Sequence, residues 1–319
     1  MPASLWQRFQ ALKKSNDGEA SGTIRCGVGQ RHLLLKGERD EPILLLATAQ
    51  RRSPRAPIRL KHVSIQFDAR YEVTATETGK SSSEWFCKVA CDASSASLHG
   101  YFVELLAATA NSLPDQLDDS AVDEAVEALM ELFRKMAMPS RASMTGLWGE
   151  LLLINASPSP QRMVDAWHVA PTDDFDFSAD AFRIEVKSTS SVIREHEFSL
   201  RQVRSGRPDD FIASVVLRSS ADGLSVLDLA RRITPELTDA GQAKLWQLVI
   251  ETLGDDAEST EWQTFDVASA TASLMLVPAR HIPAPTIAAG DSRFISDVRF
   301  RAQIGEICSQ HAMPLSALL

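Results

Sequence analysis

Residues Phe175–Thr189 read FDFSADAFRIEVKST, the pattern of two short strands around a tight turn. Successive side chains of a strand point to opposite faces. Phe182, Ile184 and Val186 therefore share one face, and Arg183, Glu185 and Lys187 share the other. With the turn centred on Asp180–Ala181, Asp176 falls across from Glu185 and Asp174 across from Lys187. Side chains paired in this way have Cβ atoms roughly 4.5–5.5 Å apart. Two bare carboxylates at that spacing repel, so the hairpin calls for a cation between them.

The surrounding chain is that of an ordinary globular protein. Its 319 residues suffice for one large domain or two ordinary ones, and 44% apolar with 24% charged residues is a typical composition. The N-terminal MPASLWQRFQALKK lacks the parts of a signal peptide, and no run reaches the roughly 18 apolar residues of a membrane span. Cys26, Cys87, Cys91 and Cys308 are too sparse for a disulfide scaffold, which predicts a cytoplasmic protein. Cys87 and Cys91 lack a second Cys or His pair at zinc-ligand spacing. A net charge of −9 argues against bulk nucleic-acid affinity, yet Arg51, Arg52, Arg55, Arg59 and Lys61 form a local basic stretch. That stretch is either a solvated, proline-broken loop or a patch for phosphates.

Apolar and alternating runs between residues 31 and 92, separated by Gly, Pro and Ser, predict a β-rich N-terminal region. Before it, Leu5, Phe9 and Leu12 suit a short amphipathic helix. Two helical patterns follow, near Gly100–Ser112 and Ser120–Met138. Pro139–Ser143 is the best boundary, dividing the chain into 1–139 and 140–319. Beyond it come a helix over TGLWGELLLINA, the segment MVDAWHVA, the hairpin, and EFSLRQVRSG, read as a short helix capped by Ser199. FIASVVLRS suits a buried central strand. Helices near 224–233 and 238–253 and strands near 273–277 and 298–304 complete a mixed α/β arrangement, a central mixed sheet flanked by helices.

Phosphodiester hydrolysis needs a metal held by carboxylates, a water made nucleophilic beside it, and a cation near the developing charge. Asp176 and Glu185 as facing ligands, with Lys187 two residues on, supply these parts. The pattern Asp176-x8-Glu185-x-Lys187, followed by a helix carrying Gln202, resembles the PD-(D/E)XK nuclease superfamily. Glu150 in GLWGELLL resembles the helical glutamate that many of its members place beside the metal. WGELLL, DFDF, RIEVKST and HEFSLRQV together are similar to a prokaryotic family named only for that motif and found among restriction-modification and phage-defence genes.

The resemblance implies a restriction-endonuclease-like core over 140–319, with the β-rich region 1–139 binding DNA or docking a partner. It makes Asp176, Glu185 and Glu150 metal ligands for Mg2+, with Mn2+ substituting, and Lys187 the residue that orients or activates the attacking water. Gln202 matches a position that touches substrate phosphate, and His196 a polar position near the active strand. Independently of the resemblance, the basic stretch read as a phosphate patch would add contacts from Arg51, Arg52 and Arg55. No proline precedes Asp176, which leaves Asp174 as a competing ligand, although the simplest register favours Asp176.

Each feature alone also has a plainer reading. Glu-x-Lys is common on solvated strand edges, a lone histidine has many structural uses, and Gln202 could be helix surface. Trp148, Trp167, Trp246 and Trp262 lack the spacing of a base-stacking platform and suit the core or an interface. Two function classes follow. One is a metal-dependent DNA endonuclease, the cutting subunit of a restriction or anti-phage system. The other is a non-cutting module on the same fold that binds DNA or a partner. No nucleotide-binding P-loop or methyltransferase motif is evident, so an ATPase or methyltransferase would be a separate partner, and a homodimer would bring two sites together.

Overall fold

The computed structural model describes residues 4–20, 22–51, 55–74, 81–136, 144–168, 173–254, 263–288, 290–291 and 293–317. Arg52, Trp262 and the expected boundary at Pro139–Ser143 lie outside them. The chain is a mixed α/β protein of two compact units, Met1–Arg141 with Gln242–Thr260, and Ala142–Gly241 with Glu261–Leu319. Among the described residues no helix is long and apolar enough to cross a membrane.

The first unit opens with helix α1 (Leu5–Gln10), closed at its start by a reciprocal pair of hydrogen bonds between Ser4 and Gln7. Its sheet holds β1 (Glu19–Ala20), β2 (Ile24–Cys26), β3 (His32–Lys36), β4 (Pro42–Thr48), β5 (Ile58–Arg59), β6 (Val63–Thr74) and β7 (Ser81–Cys91). The order is β1-β6-β7-β4-β3-β2, with β5 paired to β6. Burial alternates along all 12 residues of β6, and a bulge shifts its pairing between Gln66 and Ala69. The strand β4, PILLLAT, is buried throughout. Ile43, Leu45 and Ala47 join a cluster with Leu33, Leu35, Tyr71 and Phe86, while the alternate residues Leu44 and Leu46 serve the face where α2 (His99–Asn111) packs. Helix α3 (Asp119–Met136) is strongly amphipathic, as its three- and four-residue spacing requires.

The second unit is built on α4 (Met144–Ala156), which is buried from Leu147 through Ile154. A helix apolar on every side is a core helix. After α5 (Pro160–Ala166) come β8 (Phe177–Ala179), β9 (Phe182–Thr189), β10 (Glu195–Ser199), α6 (Leu200–Val203), β11 (Asp210–Val216), β12 (Ser219–Leu224) and α7 (Val226–Ile233). Helix α8 (Asp239–Leu253) spans the division, its residues from Gln242 onward grouping with the first unit. Helix α9 (Val267–Ser273), β13 (Met275–Pro278), β14 (Arg299–Gln303) and α10 (Gly305–His311) follow.

The central sheet runs β13-β11-β9-β8. Strand β11 is parallel to β9 and buried at every residue, as a central strand covered on both faces must be. The antiparallel pairing of β8 with β9 sets Phe177 against Ile184 and Ala179 against Phe182, the register expected for a turn at Asp180–Ala181. One local expectation is corrected. Glu197–Ser199 belong to β10, which pairs with β14, and only Leu200–Val203 are helical. The strand continues to Ser199 because β14 satisfies its backbone, and the helix begins where the Ser199 and Gln202 side chains cap it.

Candidate active site

Three backbone elements converge in the second unit. Helix α4 carries Glu150, the β8–β9 hairpin carries Asp176, Glu185 and Lys187, and the residues leaving α5 carry Trp167 and His168. The helix approaches the hairpin closely because Gly149 has no side chain. A Cβ there would meet Ser188 Oγ at 2.0 Å and Val186 Cγ1 at 3.3 Å. The residues after α5 run beside β8: Trp167 pairs with Phe177, and the His168 backbone N–H donates to the Asp176 carbonyl at 2.8 Å. His168 takes φ +43° there, a conformation uncommon for a residue with a side chain.

Ligand atoms of Glu150, His168 and Asp176 all lie within 4.8 Å of one another. Glu150 Oε2 accepts from Trp167 Nε1 at 2.7 Å and contacts His168 Nε2 at 2.9 Å. Asp176 Oδ2 accepts the Val186 backbone N–H at 2.7 Å, which fixes its orientation. Burial, with Glu150 and Glu185 close by, pushes the Asp176 carboxyl well above the usual carboxylate range. Asp174 is exposed and contributes its carbonyl to Gln202, so the hairpin aspartate gathered with Glu150 is Asp176.

Glu185 is 8% exposed and its Oε1 accepts from Lys187 Nζ at 2.7 Å. Burial raises its pKa, against the opposing pull of Lys187 and of a hydrogen bond from Gln202. Gln202 is itself buried: its Oε1 accepts the Ser199 N–H at 3.0 Å and its Nε2 donates to the Asp174 carbonyl at 2.9 Å. It thus ties α6 to the segment leading into the hairpin and supports Glu185. His196 is 5% exposed, with Nε2 at 2.8 Å from Ser214 Oγ. Burial, then the charges of Lys187 and Arg194, lower its pKa to about 4, so the ring is neutral at physiological pH.

The basic stretch belongs to the first unit. Arg51 makes two bonds to the Asp123 carboxylate, at 2.8 and 3.0 Å, and its side chain is 8% exposed. Arg55 reaches the same carboxylate at 2.5 Å, and both guanidinium groups lie over the Phe67 ring. Arg59 is exposed.

Trp148, Trp167 and Trp246 are fully buried, and the indole N–H groups of the first two donate to Leu224 and Glu150. The reading of the sequence passed over Trp167 as a partner of Glu150, and passed over His168 altogether. His168 sits in a segment with no periodic signature, eight residues before Asp176, and only the pairing with β8 brings it to the carboxylates.

A mixed sheet whose edge hairpin carries Asp, Glu and Lys, facing a buried glutamate on the helix behind, is the arrangement of the PD-(D/E)XK class. Residues 5–304 match the family model described as "Putative PD-(D/E)XK family member, (DUF4420)", and the chain belongs to this family. No curated protein and no solved structure gives a match.

The donor set fits a divalent cation. Glu150 and Glu185 both disfavour the ionised form of Asp176, and Glu150 also disfavours that of Glu185. Such crowding is costly without a positive charge to offset it. Oxygen-rich sets of this kind suit Mg2+ or Mn2+.

Proposed function

We propose that this protein is a metal-dependent DNA endonuclease, the cutting subunit of a restriction or anti-phage system. The observation that carries the reading is the gathering of the Glu150, His168 and Asp176 ligand atoms within 4.8 Å of one another, beside the Lys187–Glu185 ion pair of the same hairpin. Membership of a PD-(D/E)XK family supports it.

In this reading Asp176 and Glu150, with Glu185, hold Mg2+ or Mn2+, which when bound polarises the scissile phosphate and acidifies a water. Lys187 orients that water and sets its positive charge against the phosphorane as charge develops. Its ion pair with Glu185 holds the ammonium at the metal-ligand side of the strand. Gln202 and the neutral His196 position the hairpin and β10 from behind. Arg51 and Arg55 pair with Asp123, and the basic stretch they belong to is either a solvated loop or a patch for phosphates.

DNA is the substrate we assign, and the first unit binds DNA or docks a partner ATPase or methyltransferase; a second copy of the chain would supply the cut on the opposite strand. Four buried thiols free of disulfides agree with a reducing cytoplasm.

The test is cleavage of plasmid DNA with Mg2+ or Mn2+, wild type against Lys187→Ala, alone and with proteins encoded beside it. Cleavage by the wild type and none by the variant is expected. Equal cleavage by both would misplace the site, and no cleavage under any condition would favour a non-cutting binding module.

A further inference from the structure

We propose that His168 is a metal ligand, so that this chain holds its cation in a mixed nitrogen and oxygen site and prefers Mn2+ to Mg2+. The inference rests on the reading of Glu150 and Asp176 as the cation's carboxylate ligands. It adds a residue and an ion preference that this reading does not contain.

Three observations lead to it. First, the ligand atoms of Glu150, His168 and Asp176 lie within 4.8 Å of one another. Bonds of about 2.1–2.2 Å leave two ligand atoms on one cation at most about 4.3 Å apart. Three ligands cannot all be opposite, so side-chain torsions also bring neighbouring pairs nearer. Secondly, the backbone places the imidazole there through two independent ties, the pairing of Trp167 with Phe177 and the 2.8 Å bond from the His168 N–H to the Asp176 carbonyl. Thirdly, the ring already meets the Glu150 carboxylate at 2.9 Å. Two adjacent ligands on one octahedral cation are about 3 Å apart, so this pair already has the separation that shared ligation requires.

The ion preference follows from the donor atoms. Mg2+ is hard, takes oxygen ligands and loses water reluctantly. Mn2+ accepts imidazole more readily, so replacing one oxygen donor by nitrogen favours it. Loss of the imidazole should therefore weaken Mn2+ binding far more than Mg2+ binding.

The experiment uses the full chain without DNA. Mn2+ is titrated and the free ion read by electron paramagnetic resonance, and the bound ion is then examined for nitrogen coupling by electron spin echo modulation. In the wild type the spectrum should show a directly bound imidazole nitrogen, and labelling histidine with nitrogen-15 should change it. His168→Asn, which tolerates positive φ, and His168→Gln should lose that coupling. They should bind Mn2+ about tenfold or more weakly, while Mg2+ affinity, read by competition, changes several-fold less.

Nitrogen coupling that persists in both variants would overturn the proposal. So would bound Mn2+ without nitrogen coupling in a wild type whose binding Asp176→Asn abolishes, a result that leaves the carboxylate site standing. A wild type that binds no Mn2+ would remove both the proposal and the metal site on which it rests. The wild-type spectra decide the matter even where a variant fails to fold.

Discussion

Gly149 on α4 and Ser188 on β9 lie so close that a Cβ on the glycine would fall 2.0 Å from the serine hydroxyl. Gly149→Ala must therefore turn the serine hydroxyl aside or push the helix from the strand, and with it Glu150 from the hairpin. Overpacking of this kind costs about 1–3 kcal/mol. Ser188 Oγ is buried with no hydrogen-bond partner among the described residues, so Ser188→Ala should be neutral or stabilising. Combined with Gly149→Ala it should recover part of the loss. Urea unfolding of the two single variants and the double variant checks this, and strictly additive effects would show that the contact is not the cause.

Lys187→Ala should abolish cleavage and leave metal binding and folding nearly intact. A protonated lysine cannot ligate a cation, so its removal takes away chemistry and spares the site. The rate should fall on the order of a hundredfold or more. A variant that cuts normally, or that loses Mn2+ in a calorimetric titration, would contradict the assignment.

Asp176→Asn should behave in the opposite way, weakening the metal and strengthening the metal-free fold. The amide oxygen can still accept the Val186 N–H, while the crowding with Glu150 and Glu185 is relieved. A gain of about 1 kcal/mol would raise the melting temperature by roughly 2–4 °C. The rise produced by Mn2+ in the wild type should disappear. Thermal unfolding with and without Mn2+ reads both effects.

His196 gives the fold an acid-sensitive element. Its folded pKa is lowered to about 4, against an ordinary value near 6.5 in the unfolded chain. The unfolded chain therefore takes up a proton first as pH falls. The stability involved is fully present above about pH 6.5 and is lost progressively down to about pH 4, on the order of 3 kcal/mol in all. His196→Gln should flatten the stability profile between these values. Equal slopes in the two proteins would place the acid sensitivity elsewhere.

Arg51→Ala should act on stability. Its guanidinium is held by two bonds to Asp123, so the expected loss is about 1 kcal/mol in denaturant unfolding, with little change in the salt dependence of DNA binding. A flattened salt slope with unchanged stability would return this residue to the phosphate-contacting role that its neighbours in sequence suggest.

The sequence by itself determined the hairpin, its register and the faces of its side chains, because strand alternation and a tight turn are local properties. That period put Asp176 across from Glu185 with Lys187 two residues on, with Asp174 still in competition, and TGLWGELLLINA read as a helix despite Gly146 and Gly149. What the tertiary structure decided were the partners. Arg51 and Arg55 look like a free basic patch in the chain, but Asp123, some seventy positions away in sequence, takes both. Gln202 reads in the chain as a phosphate contact or as helix surface, and in the fold it caps its own helix and braces Glu185. His168 carries no signal in any local pattern, since neither helix nor strand periodicity reaches it. It joins Glu150 and Asp176 only because the chain after α5 pairs with β8. Local periodicity fixes which way a side chain points. What it meets there depends on segments distant in sequence, whose packing no local pattern encodes.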